Sequence, residues 1–281
     1  REFPQVTGIM VGEGEVTFRE VLEQYLREAE TAGQSEQQPE SDSTEHQVAD
    51  RRGTVAGKSM VERFGQIPGL CLASGYTAPR DLTDLTTLPF LYEDMEPFTN
   101  RIIYYETSRG CPYRCSYCLS SIDKKVRLRD ISVVKRELQF FLDQNVKQVK
   151  FIDRTFNCDH KHAMEIWRYI YEHDNGVTNF HFEISADLLN EEELALIHDM
   201  RPGLIQLEIG AQSTNETTIR EIHRTMKLEL LKDIVRKIQG GENIHEHLDL
   251  IAGLPYEDYA TFAKSFDEIY ELKPNQLQLG F

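Results

Sequence analysis

Residues 101–121 read RIIYYETSRGCPYRCSYCLSS, and this stretch decides how the rest of the chain is read. Its first half is rich in β-branched and aromatic residues, the composition of a strand. Gly110 and Pro112 then break the run, so Cys111, Cys115 and Cys118 fall on a loop at the strand's C-terminal end. In parallel β/α folds that end gathers the functional side chains. Three thiolates spaced Cys-x3-Cys-x2-Cys can hold three irons of a cubane cluster and leave the fourth iron open. A structural zinc site closes four ligands instead, and no fourth Cys or His follows closely here. The remaining cysteines, Cys71 and Cys158, stand alone and read as small buried hydrophobes. Five cysteines, an odd number in 281 residues, do not make a disulfide scaffold and fit a reducing, cytoplasmic setting.

Working downstream, VKQVKFID (146–153), NFHFEISA (179–186), LIQLEIGA (204–211), HLDLIAG (247–253) and QLQLGF (276–281) are further strands. Helical spacing fills the gaps at about 132–145, 160–174, 190–200, 215–240 and 257–272. Strands alternating with helices of this length predict parallel β/α units. The expected class is therefore α/β, a partial (β/α)6 TIM-like barrel over residues 101–281, too short for eightfold closure. The sequence ends on a strand, so at least one further helix is expected beyond Phe281.

Upstream, residues 6–30 give an apolar strand, a Gly-rich turn and a helix with Val21, Leu22, Tyr25 and Leu26 at helical spacing. One strand–helix unit is too small to fold alone. Residues 1–32 thus read as the C-terminal remnant of a Rossmann-like α/β domain, in a chain that begins as a fragment would. Residues 33–58 are polar and predict a linker or mobile loop without helix. Residues 59–100 carry the turn signals IPGL, GYTAP and TTLPF and predict a connector wrapped against the barrel. The balance of 31 basic against 47 acidic residues, net −16, argues against broad nucleic-acid binding. No apolar run approaches the ~20 residues of a membrane span.

The cysteine loop resembles the radical S-adenosylmethionine (SAM) superfamily, whose CxxxCxxC signature carries an aromatic residue before the last cysteine, here Tyr117. The resemblance covers residues 100–281. It implies a 4Fe-4S cluster on Cys111, Cys115 and Cys118, with the open iron chelating the amino and carboxylate groups of SAM. One electron then cleaves the sulfonium to a 5′-deoxyadenosyl radical. LEIGAQSTNETTIREIHR (207–224) and LDLIAGLP (248–255) are similar to the oxygen-independent coproporphyrinogen oxidase branch, which implies SAM contacts at Gln212, Arg224 and Asp249. Glu183 takes the place of a carboxylate that helps to hold SAM, and Ser185 follows two residues on, on the same side of the strand. Where many members have a Gly-rich GGE stretch, this chain has KFIDRTFN (150–157), so Asp153 is expected to meet the SAM ammonium directly.

That variant, with VGEGEVTF (11–18), resembles radical SAM proteins that bear an N-terminal cobalamin-binding domain. It implies cobalamin in the complete protein, with a cobalt-ligating His upstream of Arg1. A flavodoxin- or ferredoxin-like electron donor and a small-molecule or peptide substrate complete the implied partners. Two rival readings are a tRNA-modifying methylthiotransferase and a non-catalytic cluster scaffold. The first lacks its upstream cysteine trio and a basic surface. Asp159 reads as the N-cap of the next helix. His245 and His247, alternating on a strand, read as a satisfied strand-end pair and not as a metal site.

Overall fold

Along the predicted strands from residue 103 to 251 apolar side chains alternate with polar ones, and in the computed structural model Ile103, Tyr105, Val149, Phe151, Phe180, Phe182, Leu207, Ile209, Leu248 and Leu250 among them form the core. The structure describes residues 6–35 and 59–281, and the chain divides into two units, Arg1–Thr83 and Asp84–Phe281. No helix among the described residues is long and apolar enough to cross a membrane.

In the first unit, β1 (Gly8–Met10) leads into α1 (Glu15–Ser35), followed by α2 (Met60–Phe64), β2 (Leu70–Leu72) and β3 (Gly75–Tyr76). Helix α1 runs to Ser35, three residues into the stretch expected to be helix-free; the rest of that stretch, 36–58, lies outside the described residues. A second expectation needs correcting. Residues 60–83 fold with the N-terminal unit, and only 84–100 fold with the barrel. The cause is that β2 pairs antiparallel with β1, Ile9 opposite Cys71, and β3 adds to β2. Phe64, Leu70 and Leu72 close on Val21, Met60 and Ile67. A capping box starts α2, Ser59 and Glu62 satisfying each other's backbone N–H groups. Arg63 bonds Glu28 of α1 through Nε and Nη2 at 2.9 and 2.7 Å while stacking over Tyr25 and Phe64.

The second unit begins with residues 84–100, whose Phe90, Tyr92, Met95 and Phe98 pack on the main core. Then follow β4 (Ile103–Tyr105), a hairpin of β5 (Ser108–Arg109) and β6 (Arg127–Leu128), α3 (Ile131–Asp143), β7 (Gln148–Phe151), α4 (His160–Glu172), β8 (Asn179–Ile184), α5 (Glu191–Asp199), β9 (Ile205–Gln212), α6 (Glu216–Glu221), α7 (Leu228–Gln239), β10 (His245–Ile251), α8 (Tyr259–Tyr270) and β11 (Gln276–Gly280). Strands β4, β7, β8, β9, β10 and β11 lie side by side in sequence order, all parallel. Among the described residues no ladder joins β4 to β11, so the sheet is curved but open.

Helices cap themselves as their sequences dictate: Asp130, Asp159, Asn190, Asn215 and Asp258 each accept a backbone N–H in the first turn. The expected single helix over 215–240 is in fact two. The break follows the short α6, where His223 takes a left-handed φ of 53°. Phe151, Phe156, Trp167 and Phe182 interlock between sheet and helices, Phe182 lying 4.4 Å from both Phe151 and Phe156. The opposite face of the strands is different. Lys150, His181, Glu183, Glu208, His247 and Asp249 alternate with those apolar residues and meet one another inside the sheet's curve. A polar concave face of this kind implies that the strands are shaped around something other than packing.

Candidate functional site

The hairpin β5–β6 clasps both ends of the cysteine loop, an element too short for sequence periodicity to reveal. Gly110 takes a φ of +101°, and a Cβ there would stand 2.6 Å from the Lys125 carbonyl oxygen, so only glycine lets the loop turn in. Cys111 N–H donates to the Asp123 carbonyl at 2.9 Å, and Ser116 N–H to the Ile222 carbonyl at 2.9 Å. Cys111 and Cys115 are buried and Cys118 half-buried. The loop brings all three to one cavity. Cys71 and Cys158 are half-buried, more open than expected, and neither lines this cavity.

Glu183, Ser185, Gln212, Arg224 and Asp249 line the same cavity as the cysteines and Tyr117. Their placement follows from strand alternation and from one irregularity. The β9–β10 register slips after Asp249, Leu250 pairing with Gln212 and not with Ala211. Gln212 itself adopts φ +67°, an uncommon conformation for a long side chain and of the kind kept at functional sites. The break between α6 and α7 delivers Arg224. Its Nη2 donates to the Gly210 carbonyl, and its Nη1 lies 3.2 Å from the Tyr117 hydroxyl and 3.9 Å from Cys115 Sγ. Ser185 Oγ donates to Asp187 at 2.7 Å. Gln212 Oε1, Arg224 Nε and Asp249 Oδ1 are buried without an aligned hydrogen bond, a cost that a polar ligand in this cavity would relieve.

Asp153 departs from expectation. It does not line the cavity. It is fully buried, its two oxygens taking the Thr107 N–H at 3.0 Å and the Thr107 hydroxyl at 2.8 Å. Burial nevertheless lifts its pKa to about 6, the Ser108 and Thr107 bonds opposing. Asp153 braces the end of β4; its neighbours Arg154 and Thr155 reach the cavity instead. Thr155 Oγ1 sits 3.5 Å from Cys111 Sγ.

Glu208 and Tyr113 also line the cavity and were not singled out from sequence. The signal for Glu208 was present: counting back by twos from Gln212 gives Gly210 and Glu208 on one face. The same count from Glu183 gives His181, and from Asp249 gives His247. His245 is exposed while His247 is buried, so the two are not a matched pair. Three carboxylates crowd this face. Burial raises the pKa values of Glu183 and Asp249, with Glu208 nearby adding to both. His181 and Lys150 hold Glu208 ionised, down to about 2. Lys150 Nζ lies 2.9 Å from Glu208 and 4.0 Å from Glu183.

The radical SAM superfamily profile matches residues 105–269. An uncharacterised methyltransferase of Pyrococcus horikoshii is 27% identical over 169 residues, covering 59% of this chain and 32% of that protein. The cobalamin-dependent radical SAM methyltransferase TokK of Streptomyces tokunonensis is 25% identical over 178 residues, 59% of this chain and 25% of that one. The radical SAM methyltransferase TsrM of Kitasatospora setae superposes with a TM-score of 0.65 at 18% identity, over 77% of this chain and 46% of that one. The chain thus spans about a quarter to a third of the length of these curated relatives.

Proposed function

The chain belongs to the radical SAM superfamily, and from that premise we propose that it is the catalytic core of a radical SAM enzyme acting at the cavity described above. One juxtaposition carries the reading: the three thiols of the Cys-x3-Cys-x2-Cys loop open onto the same cavity as Glu183, Gln212, Arg224 and Asp249. A 4Fe-4S cluster with SAM supplies reductive cleavage of the sulfonium to a 5′-deoxyadenosyl radical. Cys111, Cys115 and Cys118 would hold three irons of that cluster. Glu183 and Asp249 offer carboxylates to a cationic ligand, and Gln212 offers an amide to its polar edge. Arg224, fixed against Gly210 and Tyr117, presents a cation beside Cys115 and offsets the negative charge of a thiolate-bound cluster.

The finer reading is methyl transfer with cobalamin supplied by the complete protein. Its support is the chemistry named for TokK and TsrM, together with the GEGE-TF stretch that leads into the first turn of α1. A ferredoxin- or flavodoxin-like donor would deliver the electron.

Anaerobic reconstitution with iron and sulfide tests the proposal. About four irons per chain should bind with broad visible absorption, and changing any one of Cys111, Cys115 or Cys118 to Ala should abolish this. Cys71→Ala and Cys158→Ala should not. Stoichiometric zinc without a cluster would overturn it.

A further inference from the structure

Beneath the cofactor cavity, toward the strand N-termini, the concave face carries a second constellation. A ring nitrogen of His181 on β8, one of His247 on β10 and a carboxylate oxygen of Glu208 on β9 all lie within 4.8 Å of one another. Both histidines are more than nine-tenths buried, their rings tilted at 47° with centroids 6.3 Å apart. From these positions we infer that His181, Glu208 and His247 form a binding site for a divalent first-row transition ion, distinct from the cysteine loop.

Three observations carry this. First, the carboxylates leave ring nitrogen capacity over. His181 Nε2 lies 2.9 Å from Glu208 Oε2, and His247 Nε2 lies 3.1 Å from Asp249 Oδ1. Neither contact is aligned as a hydrogen bond, and His247 Nδ1 is buried without a partner. A buried imidazole nitrogen left in this state is costly. An ion on one nitrogen and Asp249 on the other would satisfy His247 in full, the carboxylate–histidine–metal arrangement that orients such ligands.

Second, the donor set suits the ion. Two imidazoles and one carboxylate on three adjacent strands match the borderline preference of Zn²⁺ and its neighbours. Three protein ligands leave a position open, and Glu208 borders the cavity above. An ion here could therefore hold a substrate oxygen from below.

Third, the local charge calls for a cation. Glu183, Glu208 and Asp249 crowd one face, and Lys150 lies 2.9 Å from Glu208 Oε2 and 4.0 Å from Glu183. Its ammonium is the ion's internal competitor.

The test uses the full chain with its cluster reconstituted, so that the cysteines are already engaged, and Zn²⁺ or Co²⁺ alone as probe. One equivalent beyond the cluster metal should survive desalting. The Co²⁺ spectrum should lack thiolate charge transfer. X-ray absorption at the zinc edge should show nitrogen and oxygen neighbours at roughly 2.0–2.1 Å and no sulfur. His181→Gln and His247→Gln should weaken Zn²⁺ binding by roughly a hundredfold with cluster iron unchanged, and Lys150→Met should tighten it. No extra equivalent in the parent, sulfur in the zinc shell, or unchanged binding in both histidine variants overturns the inference. Should the histidine variants misfold, the parent's stoichiometry and zinc shell decide alone.

Discussion

Gln212 shows how much one residue can concentrate. Its backbone sits at φ +67°, where a long side chain is disfavoured, and its buried Oε1 has no aligned hydrogen bond. Both costs fall where a ligand's polar edge would lie. Gln212→Gly removes the side chain and relieves the backbone together. It should leave the melting temperature equal or slightly raised while weakening SAM binding about tenfold, the loss of one or two hydrogen bonds. Titration of the reconstituted protein measures the affinity, and parent-like binding would remove Gln212 from the site. A second residue makes a pH prediction on the far face of the sheet. Glu246 is fully buried on β10, and burial lifts its pKa to about 7, the Gln239 side chain offsetting part. The folded state therefore holds this proton more tightly than the unfolded chain. Glu246 penalises folding increasingly as pH rises from about 4.5 to about 7, and fully above that. Glu246→Gln should add roughly 3 kcal/mol at pH 8 and almost nothing at pH 4.5. Urea melts at the two pH values check this; an equal gain at both would show that the effect is packing, not charge.

At the scale of elements, the repeating strands and helices were legible because each buries one face and so writes a period into the sequence. The elements that position the site were not, because they are short and irregular. The β5–β6 hairpin is two residues per strand, held by Ser108 opposite Leu128 and Arg109 opposite Arg127. The split of the helix expected over 215–240 turns on one left-handed residue, His223, without a glycine or proline to announce it. Asp153 was misplaced for a related reason: a carboxylate at a strand end can point either into the cavity or back at the neighbouring strand. Thr107 decides which. Gly110 was visible as punctuation, and the structure supplies its reason. Gly110→Ala combines a forbidden φ with a contact 2.6 Å from a carbonyl oxygen, a cost of order 1–3 kcal/mol confined to the cysteine loop. Iron uptake should fall well below the parent's while far-ultraviolet circular dichroism holds. Normal iron content would mean that the loop re-forms around the cluster by another path.

At the scale of the whole chain, the two units differ in how they are held. The larger has one continuous core in which each strand's outer face meets its helices. Among the described residues, the smaller gathers Phe64, Leu70 and Leu72 as its buried apolar cluster. The boundary between them is also a claim about which residues the larger unit needs. Sequence periodicity begins at residue 101, but the core begins earlier. Phe90 and Tyr92 set their rings 5.4 and 5.6 Å from Phe141. Buried Arg129 is bidentate to Glu137 at 2.7 and 3.0 Å, and its remaining donors reach the carbonyls of Leu85 and Leu88. Removing residues 84–100 would take away those carbonyls and uncover Phe141, at roughly 1.5–3 kcal/mol for each large side chain exposed and more for donors of a buried guanidinium left unpaired. A chain of residues 84–281 should therefore take up cluster iron as the full chain does. A chain of residues 101–281 should melt at least about 10 °C lower and lose iron readily. Thermal melts and iron analysis of the two truncations compare them directly. If 101–281 melted with 84–281, the segment 84–100 would be a passive connector, and the core would start where the strand pattern starts.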